Sequence, residues 1–386
     1  MPTYKKRKIL FVTERRADYS RLKPIMKAVR QSKKLQLQLV VTGMHLLKNF
    51  GETINVIRDD GFKIDAVLPT FSKNDEDTGA SMAIAMGKAM IGLPEIFNQL
   101  KPDVIFSGFD IGANFAAAIT GMHMNIHVSH IQGGEVSGTV DEVIRHGITK
   151  FAHIHFPATD KSAKRIIKLG ENPKYIFNVG SPSLDTIKAM KYLPKQKIFS
   201  KYDLNPNKKL IILIQHPVTT EVNEVINQIN HSIKAIKNIN DRYGTQAIAI
   251  YSNNDAGGKR IVNQLEQSGI KVLAHILYED FLNLLKYAGV IVGNSSTGIH
   301  EAPSFGLPTV NIGSRQQLRE RGKNVIDADH NSKDIILATE KALFNEKFIK
   351  RTKSAKNPYD NGFTAQKVVK ILENIKLPPI QKVITY

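Results

Sequence analysis

Two serines and an acid within one short segment have the residue types and spacing of a phosphate site. The segment is GNSSTGIHEAPSFGLPTVNIG, Gly293–Gly313, and it follows a short apolar run that predicts a buried strand. Ser295 and Ser296 are typical of a helix start, where free backbone N–H groups and hydroxyls can bind a phosphate or diphosphate. Glu301 lies where a carboxylate can accept hydrogen bonds from a ribose. The competing interpretation is an ordinary capped helix in an α/β domain.

A second polar segment, HIQGGEVSGTVDEVIRH, follows another strand-like run and contains three carboxylates. Its two adjacent glycines permit a tight turn with close backbone approach. Glu135, Asp141 and Glu142 indicate acid–base chemistry on a bound anion. Asp141 and Glu142 also suit the first turn of a helix, and Asp141 and Arg145 have the i, i+4 spacing of an intrahelical ion pair.

The segment after the first strand-like run, Thr13–Pro24, contains Arg16 and Ser20. An arginine can form a bidentate pair with a phosphate, and Ser20 lies about one helical turn further on. The alternative is a solvated loop in which Asp18 or Ser20 caps a helix predicted over Arg21–Arg30.

Other polar side chains also stand where predicted strands end. Because the carboxyl ends of parallel strands meet at one edge of a sheet, we expect these side chains to share one cleft. Histidines and carboxylates can also bind a metal, but we find no HExxH or acidic-loop spacing and therefore predict no metal site. The predicted cleft residues are Asp110, Glu135, His216, His275 and Ser295.

The hydrophobic pattern predicts two sets of alternating strands and helices, which is typical of doubly wound parallel sheets with a cleft between them. The segment His45–Asp59 is predicted to be helical, and Asn178–Leu204, rich in Pro, Lys and Ser, is predicted to be a linker. Strands are predicted over Lys8–Thr13, Leu35–Gly43, Ile64–Phe71, Asp103–Phe109, Ile126–Ile131, His153–Pro157, Lys209–Pro217, Gln246–Asn253, Ile270–Ile276 and Ala288–Gly293.

The composition limits the class of protein. The 386-residue chain has 54 Lys and Arg, 35 Asp and Glu, a formal net charge of +19 and no Cys. Disulfides and thiolate metal sites are therefore excluded, and we expect a reducing cytoplasm. The lysines are scattered without interleaved aromatic residues, so we expect small anionic ligands and no nucleic acid. We see no signal peptide and no apolar run near the ~20 residues of a membrane span, and expect no membrane association.

Five segments together resemble the UDP-N-acetylglucosamine 2-epimerases: RADYSRL, HIQGGEVSGTVDEVIRHGITKFAHIHF, QHPVTTE, YSNNDAGG and GNSSTGIHEAPSFGLPTVNIGSRQ. The resemblance spans Lys8 to Thr364 and is closest to the hydrolysing branch, which starts sialic-acid-type sugar synthesis. It implies the glycosyltransferase-B architecture, with Rossmann-like domains over 1–180 and 181–362 and a C-terminal segment, 363–386, that returns to the first domain. It also implies a UDP-sugar ligand, no cofactor and a homo-oligomer, either a dimer or a tetramer.

The resemblance implies a role for each matched residue. Eight positions are implied to bind the UDP-sugar: Arg16 and Ser20 at the diphosphate, Ser295 and Ser296 at a phosphate, Glu301 at the ribose, His275 at the uracil, and Asn253 and Arg315 in the nucleotide cleft. Five positions match acid–base candidates: Asp110, Glu135, Asp141, Glu142 and His216.

The chain departs from the family pattern in three places. The family commonly has Gly-Asp-Arg around Asp110, whereas this chain has Phe109 before it and Ile111 after it. Leu318 replaces a glycine, and residues 13–15 replace a small, glycine-containing turn.

The implied reaction has two steps. UDP leaves C1 as a base removes the C2 proton, which gives a 2-acetamidoglucal; water then adds, with protonation of the other face of C2. We expect Asp110, Glu135 and Asp141 to make these proton transfers. The alternatives are a hydrolysing epimerase of a UDP-diacetamido sugar, a non-hydrolysing epimerase that keeps UDP on its product, a glycosyltransferase of the same architecture, and a nucleotide-sugar sensor without enzymatic activity.

Overall fold

Two six-stranded parallel sheets organise the chain, and the computed structural model describes residues 5–386. The first sheet has the order β3-β2-β1-β4-β5-β6 and contains β1 (Arg7–Thr13), β2 (Leu35–Thr42), β3 (Ala66–Leu68), β4 (Val104–Gly108), β5 (His127–Ile131) and β6 (Ile154–Phe156). The second has the order β12-β11-β10-β7-β8-β9 and contains β7 (Leu210–Ile214), β8 (Gln246–Ile250), β9 (Lys271–Leu273), β10 (Val290–Gly293), β11 (Thr309–Ile312) and β12 (Val325–Ala328). The predicted pair of doubly wound sheets is confirmed.

Helices cover both faces of each sheet, so the central strands bury apolar side chains on both faces. In β1, Ile9 and Phe11 pack into one core while Leu10 and Val12 pack into the core on the other face. The helices of the first half are α1 (Arg16–Gln31), α2 (Ile54–Asp59), α3 (Gly79–Leu100), α4 (Gly112–His123), α5 (Asp141–Phe151) and α6 (Asp160–Lys168). Later helices are α7 (Ser183–Ala189), α8 (Lys195–Lys201), α9 (Val225–Tyr243), α10 (Gly258–Glu266), α11 (Tyr278–Tyr287), α12 (Thr297–His300), α13 (Ser332–Phe344), α14 (Glu346–Lys353) and α15 (Thr364–Asn374).

The helix predicted over His45–Asp59 is wrong in its first half. Two 3₁₀ turns, Gly43–Leu46 and Lys48–Phe50, precede α2. Gly51 has φ +85, in the left-handed region, which ends a right-handed helix.

The segment Asn178–Leu204, predicted to be a linker, connects the two sheets but is not an irregular chain. Two helices form there, α7 and α8, and Leu184, Ile198 and Phe199 pack into the core of the second sheet together with Ile212. These helices were not predicted because the segment is rich in Pro, Lys and Ser. Its apolar residues are also spaced too irregularly to show a helical period.

The C-terminal helix α15 packs on the first sheet although it follows the second one in sequence. Val368 and Leu372 lie in one core with Ile25 and Val29 of α1. Asp185 of α7 accepts hydrogen bonds from the backbone N–H groups of Thr364 and Ala365 and so fixes the start of α15. The predicted domain limits at 180 and 362 stay predictions.

Helix α3 is long and apolar enough, by length and composition alone, to cross a membrane. The sequence expectation that no apolar run approaches that length therefore does not hold for Gly79–Leu100. One side of α3 is in the core of the first sheet through Ala89, Leu93 and Phe97. On its other side, Ile84 and Ile91 are 57% and 82% exposed.

Candidate functional site

The candidate site lies between the carboxyl edges of the two sheets. In the first sheet the connections diverge between β1 and β4, and in the second they diverge between β7 and β10. Such switch points leave a crevice into which the loops after these strands project. The loops after β1, β4 and β5 face those after β7, β10 and β11 across this crevice, which we call the cleft.

Helix α1 places three cationic or polar side chains in the cleft. It begins at Arg16, five residues earlier than predicted, so neither Asp18 nor Ser20 is its N-cap residue, and Asp18 is the third residue of the helix. Asp18 instead accepts hydrogen bonds from the backbone N–H groups of Glu14 and Arg15, at 2.9 Å each, and holds the turn between strand and helix. As a result Arg16, Ser20 and Arg21 project from the first turns of α1 toward the second sheet.

One cavity of the cleft, of about 130 Å³, has apolar and aromatic walls, and we call it the aromatic cavity. Its apolar lining is Ile214, Ile250, Tyr251, Ile276, Tyr278 and Phe281. Five of the residues proposed from the sequence line it: Arg16, Ser20, His216, Ser295 and Glu301. The Tyr278 hydroxyl and Glu301 Oε2 are buried there without a hydrogen-bond partner among the described residues.

A second cavity, of about 60 Å³, lies beside the first and is lined by charged side chains, so we call it the charged cavity. Its carboxylates are Asp110, Glu135 and Asp141, and its cations are Arg21, Arg145, Arg315 and Arg319. Ser296 also lines it, and Phe109 is the one apolar side chain among the described residues of its wall. Arg21 lines both cavities and therefore marks their junction.

Asp110 and Asp141 have opposite electrostatic surroundings. Burial raises the pKa of Asp110, but the charges of Arg145, which forms a salt bridge with it, and of Arg319 outweigh burial and lower that pKa. For Asp141, burial and the neighbouring charge of Asp110 raise the pKa to about 6. One carboxyl is therefore held ionised while the other retains a proton more readily.

The intrahelical pair expected between Asp141 and Arg145 does not form. Arg145 turns inward, where its guanidinium binds Asp110, Glu142 at 3.2 Å and the Glu135 carbonyl at 3.1 Å. Asp141 faces the cleft instead, 3.5 Å from Arg315 Nη2. Several buried oxygen acceptors bind a planar guanidinium more strongly than a single solvent-exposed carboxylate four residues away in the helix does.

Glu135 is fixed by both of its oxygens. Oε1 accepts a hydrogen bond from Gln132 Nε2 at 2.8 Å, and Oε2 lies 3.0 Å from His300 Nε2 and 3.6 Å from Arg319 Nε. Burial raises the pKa of Glu135, but His300 and Arg319 outweigh burial and hold that pKa well below its usual range.

His216 is placed away from the three carboxylates, in the aromatic cavity. Its Nδ1 accepts a hydrogen bond from the Asn253 backbone N–H at 3.2 Å, and burial lowers its pKa to about 3. The imidazole is therefore neutral at pH 7, with its proton on Nε2. This geometry suits a hydrogen-bond donor better than an acid–base group of the charged cavity.

Three other residues proposed from the sequence line neither cavity. Glu142 accepts hydrogen bonds from the Ser137 N–H at 2.7 Å and from Arg145, which locks the loop before α5. Asn253 donates to Asp255, which pairs with Arg15 across the cleft. His275 lies 3.1 Å from Arg16 Nη1, in a smaller neighbouring cavity, and so contacts the site through that arginine.

The phosphate-type helix start is shorter than expected. Helix α12 has four residues, and a 3₁₀ turn, Ala302–Phe305, follows it up to Gly306. A single turn has a small dipole, so arginines rather than the helix supply most of the positive potential. Arg21 Nη2 donates to Ser296 Oγ at 2.9 Å and its Nε lies 3.6 Å from Glu301.

Comparison with known proteins decides the family. A family model for UDP-N-acetylglucosamine 2-epimerase matches residues 27–373. The UDP-N,N'-diacetylbacillosamine 2-epimerase (hydrolyzing) of Legionella pneumophila is 39% identical over 375 residues, which are 96% of this chain and 97% of the relative. The chain belongs to the UDP-N-acetylglucosamine 2-epimerase family.

A second relative agrees with this family, and a solved structure agrees with the fold. The UDP-N-acetylglucosamine 2-epimerase of Neisseria meningitidis serogroup B is 34% identical over 375 residues, 96% of each chain. The crystal structure of a UDP-GlcNAc 2-epimerase from Neisseria meningitidis bound to UDP-GlcNAc has a TM-score of 0.81, with 18% identity, over 95% of this chain and 99% of that one. The expected glycosyltransferase-B-type fold is confirmed.

Phe109 and Leu318, at the two positions where the sequence resemblance implies a glycine, both lie in the left-handed region. Phe109 has φ +65 and Leu318 has φ +62. Side chains in this region cost about 1–2 kcal/mol, because Cβ approaches the following carbonyl. The Phe109 carbonyl accepts from His130 Nε2 at 3.1 Å, and this contact holds the turn that presents Asp110.

Sequence reasoning missed the cavity role of four ionisable residues: Arg21, Arg145, His300 and Arg319. Two loops at this cavity meet closely, since a Cβ at Gly138 would lie 2.1 Å from the Ser314 carbonyl oxygen. One of the four residues could have been found from the sequence. If the helix is taken to begin at Arg16, then Arg21 lies on the same helix as Arg16 and Ser20 and can reach the same cleft.

Proposed function

We propose that the chain is a hydrolysing 2-epimerase of a UDP-linked 2-acetamido sugar, converting UDP-N-acetylglucosamine to N-acetylmannosamine and UDP. N-acetylmannosamine would then serve the synthesis of sialic-acid-type sugars. The observation that supports this most directly is the junction of the two cavities at Arg21. An aromatic-walled cavity suits a nucleoside, the carboxylates of the charged cavity suit proton transfer, and Arg21 lies where a diphosphate would join them.

The aromatic cavity offers complementary groups for uridine. Its aromatic walls can pack on a base, and Glu301 Oε2 and the Tyr278 hydroxyl are free to bond ribose hydroxyls. Arg16, Ser295 and the neutral His216 supply donors toward a diphosphate. Because leaving-group charge grows as the C1–O bond breaks, donors placed there stabilise the transition state.

The charged cavity offers the proton-transfer groups. The C1–O bond breaks with its electron pair on UDP, and an ionised carboxylate removes the C2 proton, so that a C1=C2 bond forms. Water then bonds to C1 and gives one proton to a carboxylate, while a carboxylic acid delivers a proton to the opposite face of C2. The ionised Asp110 and Glu135 suit proton removal, and Asp141, with its raised pKa, suits proton donation.

The experiment is an NMR assay in D₂O with UDP-N-acetylglucosamine. We expect UDP and free N-acetylmannosamine that carries deuterium at C2, and we expect EDTA to leave the rate unchanged. UDP-N-acetylmannosamine as the product would contradict the hydrolysing outcome. Turnover only after an acceptor is added would indicate a glycosyltransferase, and binding without turnover would indicate a sensor.

Glu135→Gln tests the acid–base assignment because it keeps the shape and removes the proton-accepting charge. We expect kcat to fall by about 10²–10⁴-fold, as for a general acid–base group, with UDP affinity nearly unchanged. Glu346→Gln, at an exposed position of α14, is the matched control and should behave as wild type. Near-wild-type turnover of Glu135→Gln would remove Glu135 from the mechanism.

A second candidate substrate is UDP-N,N'-diacetylbacillosamine, a 6-deoxy sugar with acetamido groups at C2 and C4. Phe109 favours it, because an aromatic side chain in a charged wall suits a sugar edge that is less polar than a hydroxymethyl group. The relative from Legionella pneumophila supports the same substrate. Measuring kcat/KM for both UDP-sugars decides: a ratio above ten in either direction identifies the preferred sugar.

A further inference from the structure

His300 is the one residue of the second half of the chain that contacts Glu135 within normal hydrogen-bond distance. Its Nε2 lies 3.0 Å from Glu135 Oε2, and both side chains are almost completely buried. We propose that His300 is a positioning residue, which holds the Glu135 carboxylate in the orientation that proton transfer at C2 requires. This inference rests on the proposed function, since it assumes that Glu135 acts on the sugar.

The direction of the hydrogen bond follows from the charges. Burial lowers the pKa of His300, so its imidazole is neutral, and the ionised Glu135 can only accept. The proton therefore resides on Nε2, which donates. His300 Nδ1 is buried without a partner among the described residues, so nothing on that side competes for the proton.

His300 fixes the one oxygen of Glu135 that is otherwise loosely held. Oε1 already accepts from Gln132 at 2.8 Å, whereas the remaining contact of Oε2, to Arg319 Nε, is 3.6 Å long. A carboxylate held through one oxygen can rotate about its last bond. Two fixed oxygens define its plane, and a catalytic group displaced by about 1 Å can lose about 10²-fold in rate.

The backbone and ring of His300 are themselves braced by the segment before α15. Asn357 Nδ2 donates to the His300 carbonyl at 2.7 Å and to Ser304 Oγ at 2.8 Å. The Tyr359 ring packs edge-on against the imidazole, with centroids 4.3 Å apart, and its hydroxyl donates to the Glu320 carbonyl. A residue whose backbone and ring are both held is suited to orient another.

The contact also joins the two halves of the cleft. Glu135 lies on the loop after β5 of the first sheet, whereas His300 ends α12 of the second-sheet half. Glu135 is therefore held through both oxygens only when the two sheets stand as close as they do here. The positioning that we propose is thus coupled to closure of the cleft.

Two amide substitutions of His300 test the proposal, because they differ in reach alone. Gln places its Nε2 as many bonds from Cα as the histidine Nε2, so His300→Gln can donate to Glu135. His300→Asn is one methylene shorter and cannot. We expect His300→Gln to keep kcat within about fivefold of wild type and His300→Asn to lose about 10²-fold in kcat, with KM and UDP affinity little changed.

Melting temperatures, UDP affinities and activities together distinguish a positioning role of His300 from a role in folding. Equal melting temperatures and equal UDP affinities of the two variants exclude a folding defect as the cause of the difference. Equal activities of His300→Gln and His300→Asn would overturn the proposal, whether both are high or both are low. If wild type itself does not release UDP from the sugar, the proposed function fails first, and that outcome is distinct from any difference between the variants.

Asn357→Ala provides a second route that leaves the imidazole in place. It removes the hydrogen bond to the His300 carbonyl and loosens the brace, so we expect a smaller loss of kcat, about three- to tenfold, and an unchanged UDP affinity. Asn361→Ala, which removes a hydrogen bond to the Asn178 carbonyl in the same segment, is the matched control. Equal effects of the two alanine variants on kcat would contradict the proposal.

Discussion

At the scale of single residues, contacts with a few arginines give two neighbouring carboxyl groups of the cleft different pKa values. Asp110 and Asp141 are both carboxylates of one small cavity, yet the pKa of Asp110 is lowered and that of Asp141 is raised. The difference comes from arginine contact: Arg145 binds Asp110 directly, while Arg315 stays 3.5 Å from Asp141. The raised pKa of Asp141 has a consequence for stability that can be measured.

Asp141→Asn should stabilise the ligand-free protein at pH 8. The pKa of Asp141 in the folded protein is about 6, above its unfolded value near 3.9, so the ionised carboxylate destabilises the fold above pH 6 and this cost vanishes below the unfolded pKa. Removing the charge should add about 1–2 kcal/mol at pH 8, after allowance for solvent screening, and nothing at pH 3.5.

Urea unfolding at the two pH values measures this difference. Asp203→Asn is the control, because Asp203 is 90% exposed and should give no gain at either pH. A gain of Asp141→Asn that is the same at pH 8 and pH 3.5 would show that the raised pKa is not its origin.

Arg16→Ala should weaken UDP binding. The guanidinium lines the aromatic cavity and is held by the Ile276 carbonyl at 3.0 Å, so it is already oriented before a ligand arrives. Hydrogen bonds to charged groups contribute about 1.5–3 kcal/mol, which corresponds to a loss of affinity of roughly 10- to 150-fold. Calorimetry with UDP measures the change, and Arg351→Ala, exposed on α14, is the control. An unchanged UDP affinity would exclude Arg16 from the site.

The residue types and the strand ends predicted much of the site, but of the four arginines that line the charged cavity only Arg315 was proposed as a site residue. Asp110, Glu135, Asp141, Ser296 and Arg315 were all proposed from the sequence and all line the charged cavity. Arg145 and Arg319 could not be separated from surface arginines, because their function depends on a carboxylate far away in the sequence. The sequence likewise cannot show that His300 meets Glu135, 165 positions earlier in the chain.

At the scale of elements, local patterns predicted most of the strands, and failed where a turn or a tertiary contact decides the backbone. Strands β1 and β5 lie where the hydrophobic pattern placed them. The failed helix at His45–Asp59 has a different cause: His45 is buried, with ring contacts to Thr13 and Thr53, and Gly51 reverses the chain. Such contacts come from distant residues and leave no periodic signal.

Asp185→Ala should loosen α15 from the first sheet. The Asp185 carboxylate accepts from two free N–H groups at the start of α15, and loss of such a cap costs about 0.5–2 kcal/mol. We therefore expect a lower free energy of unfolding by about that amount. Faster amide exchange in Thr364–Asn374 should accompany it, while exchange in the second sheet stays unchanged. An effect on both regions alike would contradict a local role as cap.

At the scale of the whole molecule, function requires two sheets to present their carboxyl edges to each other. Arg15 and Asp255, and Arg315 and Asp141, pair across the cleft, in addition to the contact of His300 with Glu135. The first half supplies the carboxylates and the second half supplies most of the nucleotide-side residues. Neither half alone therefore contains the proposed site.

The expectation of a homo-oligomer is testable on the exposed face of α3. Ile84 and Ile91 are seven residues apart, so they lie on one face of the helix, and they are 57% and 82% exposed. Large apolar side chains exposed together mark an interaction surface, and a second copy of this chain would bury them. We expect the double substitution Ile84→Lys and Ile91→Lys to shift the protein to a smaller species in light scattering, since lysines facing their symmetry mates repel.

A lysine at an exposed position on the other half of the chain is the control for this double substitution. Leu337→Lys, at a 56% exposed position of α13 on the other half of the chain, should leave the mass unchanged. Neither Ile84 nor Ile91 lines the aromatic or the charged cavity, so UDP affinity of the double variant should match wild type and report an intact fold. If the double variant keeps the wild-type mass, α3 is not the contact between copies. A wild-type protein that is monomeric at micromolar concentration would end the oligomer hypothesis itself, and the apolar face of α3 would then need a different partner.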